Sequence, residues 1–310
     1  GGGIPPMTGL VRADWVRFRH RYDLWIVLLG ALLLGVFAYW SGATSANSPV
    51  PLEPIDASLP PDAQAQIRAM NAGLLTQVLA VRDQYVFPRS IVTMLGIGNW
   101  LFMAAAFVAA SWIATEFEWG TIRNVVLAEP RRGRFLAVRV VSLIVVSALA
   151  IGALIGLGAI LPLVLPTVGS GGPSGVTPVD VVLTAGGVLV WCVAFIAVAT
   201  LAAVVTRSPI LALIATFGYF LLESIVDNAQ VWEVWGQPLE WGRQFLLGFR
   251  LNALSSDVRA ATGLRQPFEP PPTVPPVHLE PVTGVAVIVA WVALLLGTAW
   301  LVLRRADIRE

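Results

Sequence analysis

Chemistry needs side chains that bind, ionise or attack, and this sequence offers few of them. All 20 basic residues are Arg and none is Lys, so the chain has no P-loop lysine, no Schiff-base lysine and no pyridoxal anchor. Its one cysteine, Cys192, lies inside an apolar run, and His20 and His278 stand far apart beside no acidic cluster. An intrachain disulfide and a Cys-based zinc cluster are therefore excluded, and metal catalysis has no ligand set to rest on. What remains is one dense polar stretch, Glu116-Phe117-Glu118-Trp119-Gly120-Thr121-Ile122-Arg123, followed by Pro130-Arg131-Arg132-Gly133-Arg134. A few isolated polar groups sit in apolar surroundings, and Asn99, Tyr219 and Glu223 are the strongest candidates among them to touch a ligand.

The polar stretch has a local logic. Gly120 breaks a preceding helix, Thr121 caps a new one, and Pro130 biases its neighbour away from helical geometry, which predicts a short helix over about 121–128 carrying Arg123. Such a helix, held at a membrane surface between two long apolar helices, serves either as a docking element or as a plain surface turn. The apolar runs are almost without charge. Ion pathways are built from intramembrane charges or dense polar rings, so the scarcity favours a hydrophobic or amphipathic ligand. A membrane enzyme would need clustered His, Cys or carboxylates inside those runs, and the sequence offers none.

The elements that must position these residues are set by composition. The chain has 310 residues, 56% hydrophobic and 13% charged, with a mean hydropathy of +0.76, whereas soluble domains carry about a quarter charged residues. Six runs, near 24–41, 93–115, 140–165, 181–205, 209–226 and 283–303, are long enough to cross about 30 Å of hydrocarbon as helices. An all-α integral membrane protein with six spans is expected. The first run is too long for a signal-peptide core.

If both termini lie inside, thirteen of the Arg residues fall in the short inside segments and seven in two long outside loops, 42–92 and 227–282. That asymmetry sets the expected orientation. Residues 1–23 form an N-terminal segment, 24–303 the membrane domain with an inside segment at 116–139, and 304–310 a tail. In the N-terminal segment Val11, Trp15, Phe18 and Tyr22 recur at helical spacing between Arg12, Arg17, Arg19 and Arg21. That pattern suits an amphipathic helix lying in the lipid interface, or positive charge that fixes topology. Ser208 is placed to cap the fifth span and Pro209 to open it. The first outside loop carries Ile67, Met70, Leu74, Val78 and Val81 at helical spacing, which predicts an amphipathic helix started at Asp62. The second opens with Trp232, Trp235 and Trp241 and closes with a proline-rich strut.

The run Glu116-x-x-x-Gly120-Thr121-Ile122-Arg123, then Pro130, a basic cluster and Arg139 at the next span, resembles the coupling-helix signature of ABC-2 type transporter permeases. The Arg-rich N-terminal helix with its Trp, the six-span plan and the Arg304-Arg305-x-Asp307-Ile308 ending are similar as well. Glu129 stands where that family commonly has a basic residue, and Arg139 where Lys is usual. The resemblance implies a permease of a type V-like fold that binds no cofactor itself. Two copies of a separate ATPase subunit would bind ATP and Mg, and a second permease subunit, identical or different, would complete the machine. Membrane lipid is the remaining partner, and no nucleic acid is expected. It implies that Glu116, Gly120, Thr121, Arg123 and Pro130 couple the ATPase to the spans. The implied activity is export of a drug-, lipid- or peptide-like molecule across the inner membrane of a prokaryote. The alternative is a permease of the same type that exports an ion, a glycan or a cofactor component.

Overall fold

A computed structural model describes residues 15, 16, 18–50, 52–97, 100–118, 132–165, 169, 175–227, 242, 245–262 and 281–305. Among these residues all regular structure is helical: α1 (Tyr22–Ala46), α2 (Pro61–Asp83), α3 (Arg89–Ile97), α4 (Trp100–Glu118), α5 (Arg132–Val164), α6 (Pro178–Thr206), α7 (Pro209–Asp227), α8 (Leu247–Thr262) and α9 (Pro281–Arg305). Six of them, α1, α4, α5, α6, α7 and α9, are long and apolar enough to cross a membrane, and they correspond to the six runs. The protein is an all-helical, multi-pass membrane protein.

The local sequence explains where these helices begin and end. Pro178 opens α6 behind Thr177, whose N–H donates to the Asp180 carboxylate at 2.7 Å while its hydroxyl accepts from the Asp180 N–H, a reciprocal cap. α6 ends at Arg207, which takes the left-handed conformation (φ 53°) and donates its N–H to Ala203 O. Pro209 then opens α7, as its fixed φ and missing N–H allow.

Three boundaries differ from the sequence reading. The run at 93–115 is covered by α3 and α4, the first of which already begins at Arg89. α5 begins at Arg132 rather than near 140. Its first two turns carry Arg132, Arg134 and Arg139 and so escape a search for uncharged apolar runs. The third difference is α8, a helix inside the loop read as tryptophan-rich at one end and proline-rich at the other.

α4 and α6 form the centre, with 67% and 61% of their spanning windows buried, while α1, α7 and α9 lie outside them at 22%, 17% and 17%. The end of the bundle that holds the start of α1, the end of α4, the start of α5 and the end of α9 is called the base here, and the opposite end the top. At the top, α3 lies hard against α5. Ser90 Oγ donates to Gly158 O at 2.7 Å, and a Cβ on Gly158 would fall 2.7 Å from Ile91 Cα, so only glycine permits that approach. α2 begins at Pro61, buries none of its residues, and is clamped at its end where Arg82 donates to Ala46 O and Ser48 O. Tyr39 donates to Tyr85 O at 3.0 Å, and burial raises the Tyr85 phenol above its ordinary pKa, which keeps it neutral.

Candidate functional site at the base of spans two and three

The last turn of α4 places Trp112, Thr115 and Glu116 on neighbouring positions of one face. The second turn of α5 brings Arg139 opposite them, fully buried. Arg139 Nη2 donates to Glu116 Oε1 as an ion pair across the two helices. The guanidinium carbon also lies 4.2 Å from the centre of the Trp112 ring and 5.4 Å from that of Phe135. Burying a cation is costly unless it is paired and hydrogen-bonded, and here a carboxylate and an aromatic face both offset that cost.

The N-terminal segment joins the same cluster. Phe18 is fully buried and packs on Trp112 at 4.8 Å and Trp25 at 5.1 Å. Trp15 stacks on Phe18 at 6.0 Å. Arg21 donates from Nη1 to Thr115 Oγ1 at 2.8 Å, and pairs with Asp23 through Nε at 3.2 Å and Nη2 at 2.5 Å. The stretch before span one is therefore bolted to the end of span two by stacking and a charged hydrogen bond. At the start of α5, a Cβ on Gly133 would fall 2.6 Å from the Trp300 indole nitrogen, which shows how closely the end of α9 sits against this hairpin. Arg304 lies over the Trp300 ring at 5.6 Å.

The expected site residues are distributed unevenly. Glu116 belongs to the cluster, whereas Gly120, Thr121, Arg123 and Pro130 fall outside the described residues, between the ends of α4 and α5. Val11 also falls outside them. Phe18 and Tyr22 do not share one lipid-facing surface: Phe18 turns into the protein while Tyr22 is 75% exposed. The helix is interrupted at Arg21 (φ −93°, ψ 84°), so the phase that aligned Tyr22 with Phe18 is lost before α1 begins. Trp112, Thr115 and Arg21 were not singled out for this cluster. The signal available was the spacing of Trp112 and Glu116, four residues apart on a helix that ends in a charged segment.

The other three candidates divide similarly. Asn99 lies outside the described residues. Tyr219 and Glu223 are brought together, with the phenol donating to Glu223 Oε1 at 2.7 Å. Glu223 also accepts from the N–H groups of Leu247 at 3.0 Å (Oε1) and Gly248 at 2.6 Å (Oε2), the first residues of α8. Its carboxylate thus caps a helix. Beside it, Phe220 stacks face to face on Phe195 at 3.6 Å, and Phe195 and Trp191 meet Phe102 at 4.5 and 4.9 Å. Rings from α4, α6 and α7 make a continuous aromatic wall.

No protein family, no curated protein and no solved structure matches this chain.

Proposed function

We propose that the chain is the transmembrane permease subunit of an ABC-2 type exporter. It works as one of two permease subunits with two separate ATPase subunits that bind ATP and Mg2+, in the inner membrane of a prokaryote, with both termini cytoplasmic. The observation that supports this reading most is the joined base of spans two and three. Glu116 and Arg139 lock α4 to α5 on either side of the segment that carries Gly120, Thr121, Arg123 and Pro130, and Phe18 and Arg21 extend that lock to the stretch before α1. A force on the segment moves both helices together and reaches α1 through the Phe18–Trp112 stack. When the ATPase pair closes on ATP, that linkage carries the motion into the bundle and alternates access to the cargo path.

The cargo is a hydrophobic or amphipathic molecule. Desolvating an ion in spans this poor in charge is costly, about 2.5–3.5 kcal/mol for a charge at the bilayer centre. An apolar molecule instead gains about 25 cal/mol per Å² removed from water, and the wall of Phe102, Trp191, Phe195 and Phe220 offers it aromatic contact. The test is ATP turnover in proteoliposomes. The chain alone should hydrolyse none. With a partner ATPase, turnover should rise several-fold with amphipathic compounds and not with simple cations. Arg123→Ala or Gly120→Leu should remove that stimulation while the complex still assembles. Stimulation by a monovalent cation or a hydrophilic glycan alone sinks the cargo assignment, and wild-type stimulation in both variants sinks the coupling assignment.

A further inference from the structure

α8 is too polar and too short to span a membrane, with Arg250, Asp257 and Arg259 in its 16 residues, yet its beginning lies deep in the bundle. The Leu247 and Gly248 N–H groups meet Glu223, fourteen residues along α7 from its basal end at Pro209. The Phe245 carbonyl accepts from Trp291 Nε1 at 2.6 Å, fourteen residues along α9 from its basal end at Arg305. At 1.5 Å per residue both attachments lie about 21 Å from the base, toward the top of the spans but still within a hydrocarbon layer about 30 Å thick. Backbone at that depth has no water to bond, so each freed N–H and C=O must find a partner in the protein. Glu223 supplies acceptors for two of the N–H groups and Trp291 a donor for a carbonyl. A third attachment stands farther along the helix, where Trp191 Nε1 donates to Ser255 Oγ at 2.7 Å. Spans four, five and six each hold α8 once.

The buried apolar contacts of α8 form a cluster of their own, although Trp191, Leu201, Phe220 and Leu296 pack against both it and the main core. Leu247 and Leu251 are fully buried in a small cluster with Ala194, Ala197, Val198, Ile288 and Leu295. The main core gathers α1, α3, α4, α5, the other side of α6 and, near the base, Ala212 of α7 with Ala299 and Leu303 of α9. Lifting α8 therefore leaves the main core packed.

We infer that Glu223 is the latch of a separately opening unit: its carboxylate holds the first turn of α8 at membrane depth, and losing it releases α8 and the second core while the rest of the bundle stays closed. Glu223 is a positioning residue in this scheme. The latch holds whether or not the chain works with an ATPase, because the experiment that tests it needs no partner.

The readout is thiol accessibility of the full chain in lipid nanodiscs. Leu251→Cys in a Cys192→Ala background reports the second core, and the native Cys192, buried in the main core, reports the rest. With Glu223→Ala, maleimide labelling of position 251 should accelerate at least tenfold and that of Cys192 less than twofold. Glu223→Gln keeps one acceptor oxygen and should fall between, which preserves the test if the alanine variant fails to accumulate. Tyr219→Phe leaves both backbone donors on the carboxylate and should change labelling at 251 less than threefold. Unchanged labelling at position 251 in both Glu223 variants, or equal acceleration at Cys192, overturns the latch.

Discussion

Among the described residues two carboxylates, the partly buried Glu116 and the buried Glu223, stand toward opposite ends of the bundle and are satisfied in different ways. At the base Glu116 meets a full positive charge on Arg139, itself laid on Trp112. Toward the top Glu223 meets a phenol and two backbone N–H groups. A buried ion pair is all or nothing, since removing either partner strands a charge in a low-dielectric interior. A carboxylate on a helix N-terminus faces only partial charges, roughly half a unit at the helix end, so the attraction that holds it is weaker than that of a full ion pair. The base is built to move as one piece, and the top to come apart.

The contrast predicts its largest effect at the base. Arg139→Ala should cost about 3–5 kcal/mol of stability, read as the shift in unfolding of the micellar protein followed by tryptophan fluorescence. Glu116→Leu with Arg139→Met removes both charges and keeps the volume, and should recover to within about 1 kcal/mol of the parent. If the double variant is as unstable as the single, the pair is not what holds this end. A smaller and more local effect belongs at the top. A Cβ at Gly248 would fall 2.5 Å from Glu223 Oε2, so Gly248→Ala should push the carboxylate off the helix end, cost about 1–3 kcal/mol, and accelerate labelling at position 251 with Glu223 itself intact. Stability equal to the parent would show that the carboxylate has room to spare. The smallest effect is expected for Arg21→Gln. Its guanidinium bridges Thr115 and Asp23 near the surface, and partly exposed pairs of this kind contribute about 0–1 kcal/mol. A loss as large as that of Arg139→Ala would place the N-terminal stretch inside the base rather than on it.

Much of the fold could be read from the sequence because a bilayer imposes length. Six runs of sufficient apolar extent give six helices, and no tertiary contact is needed to find them. The same logic fails where helices are polar or broken. α8 carries Arg250, Asp257 and Arg259 and so escapes a search for apolar runs, yet Leu247, Leu251, Leu254 and Val258 recur at spacings of four, three and four, a stripe legible in hindsight. α3 was hidden in an apolar run that also contains the start of α4. At the candidate site the type of Glu116 was informative and its partner was not. Arg139 stands 23 positions away, and only the antiparallel return of α5 makes them neighbours. Phe18 was misplaced for a related reason: its spacing with Tyr22 assumed one unbroken helix, and Arg21 ends it.

α6 belongs to both cores. Cys192, Phe195, Ile196, Ala199 and Ala203 face the main one, and Ala194, Ala197 and Val198 the smaller one beneath α8. It is a party wall, and four of those eight contact residues, Ala194, Ala197, Ala199 and Ala203, are alanine. An alanine has no side-chain torsion to turn, so it cannot take up a neighbour's displacement by changing rotamer, and close-packed interiors compress little. A push on one side of such a wall is passed on in part to the other. The two compartments can therefore open at different times and still sense one another through a single rigid helix.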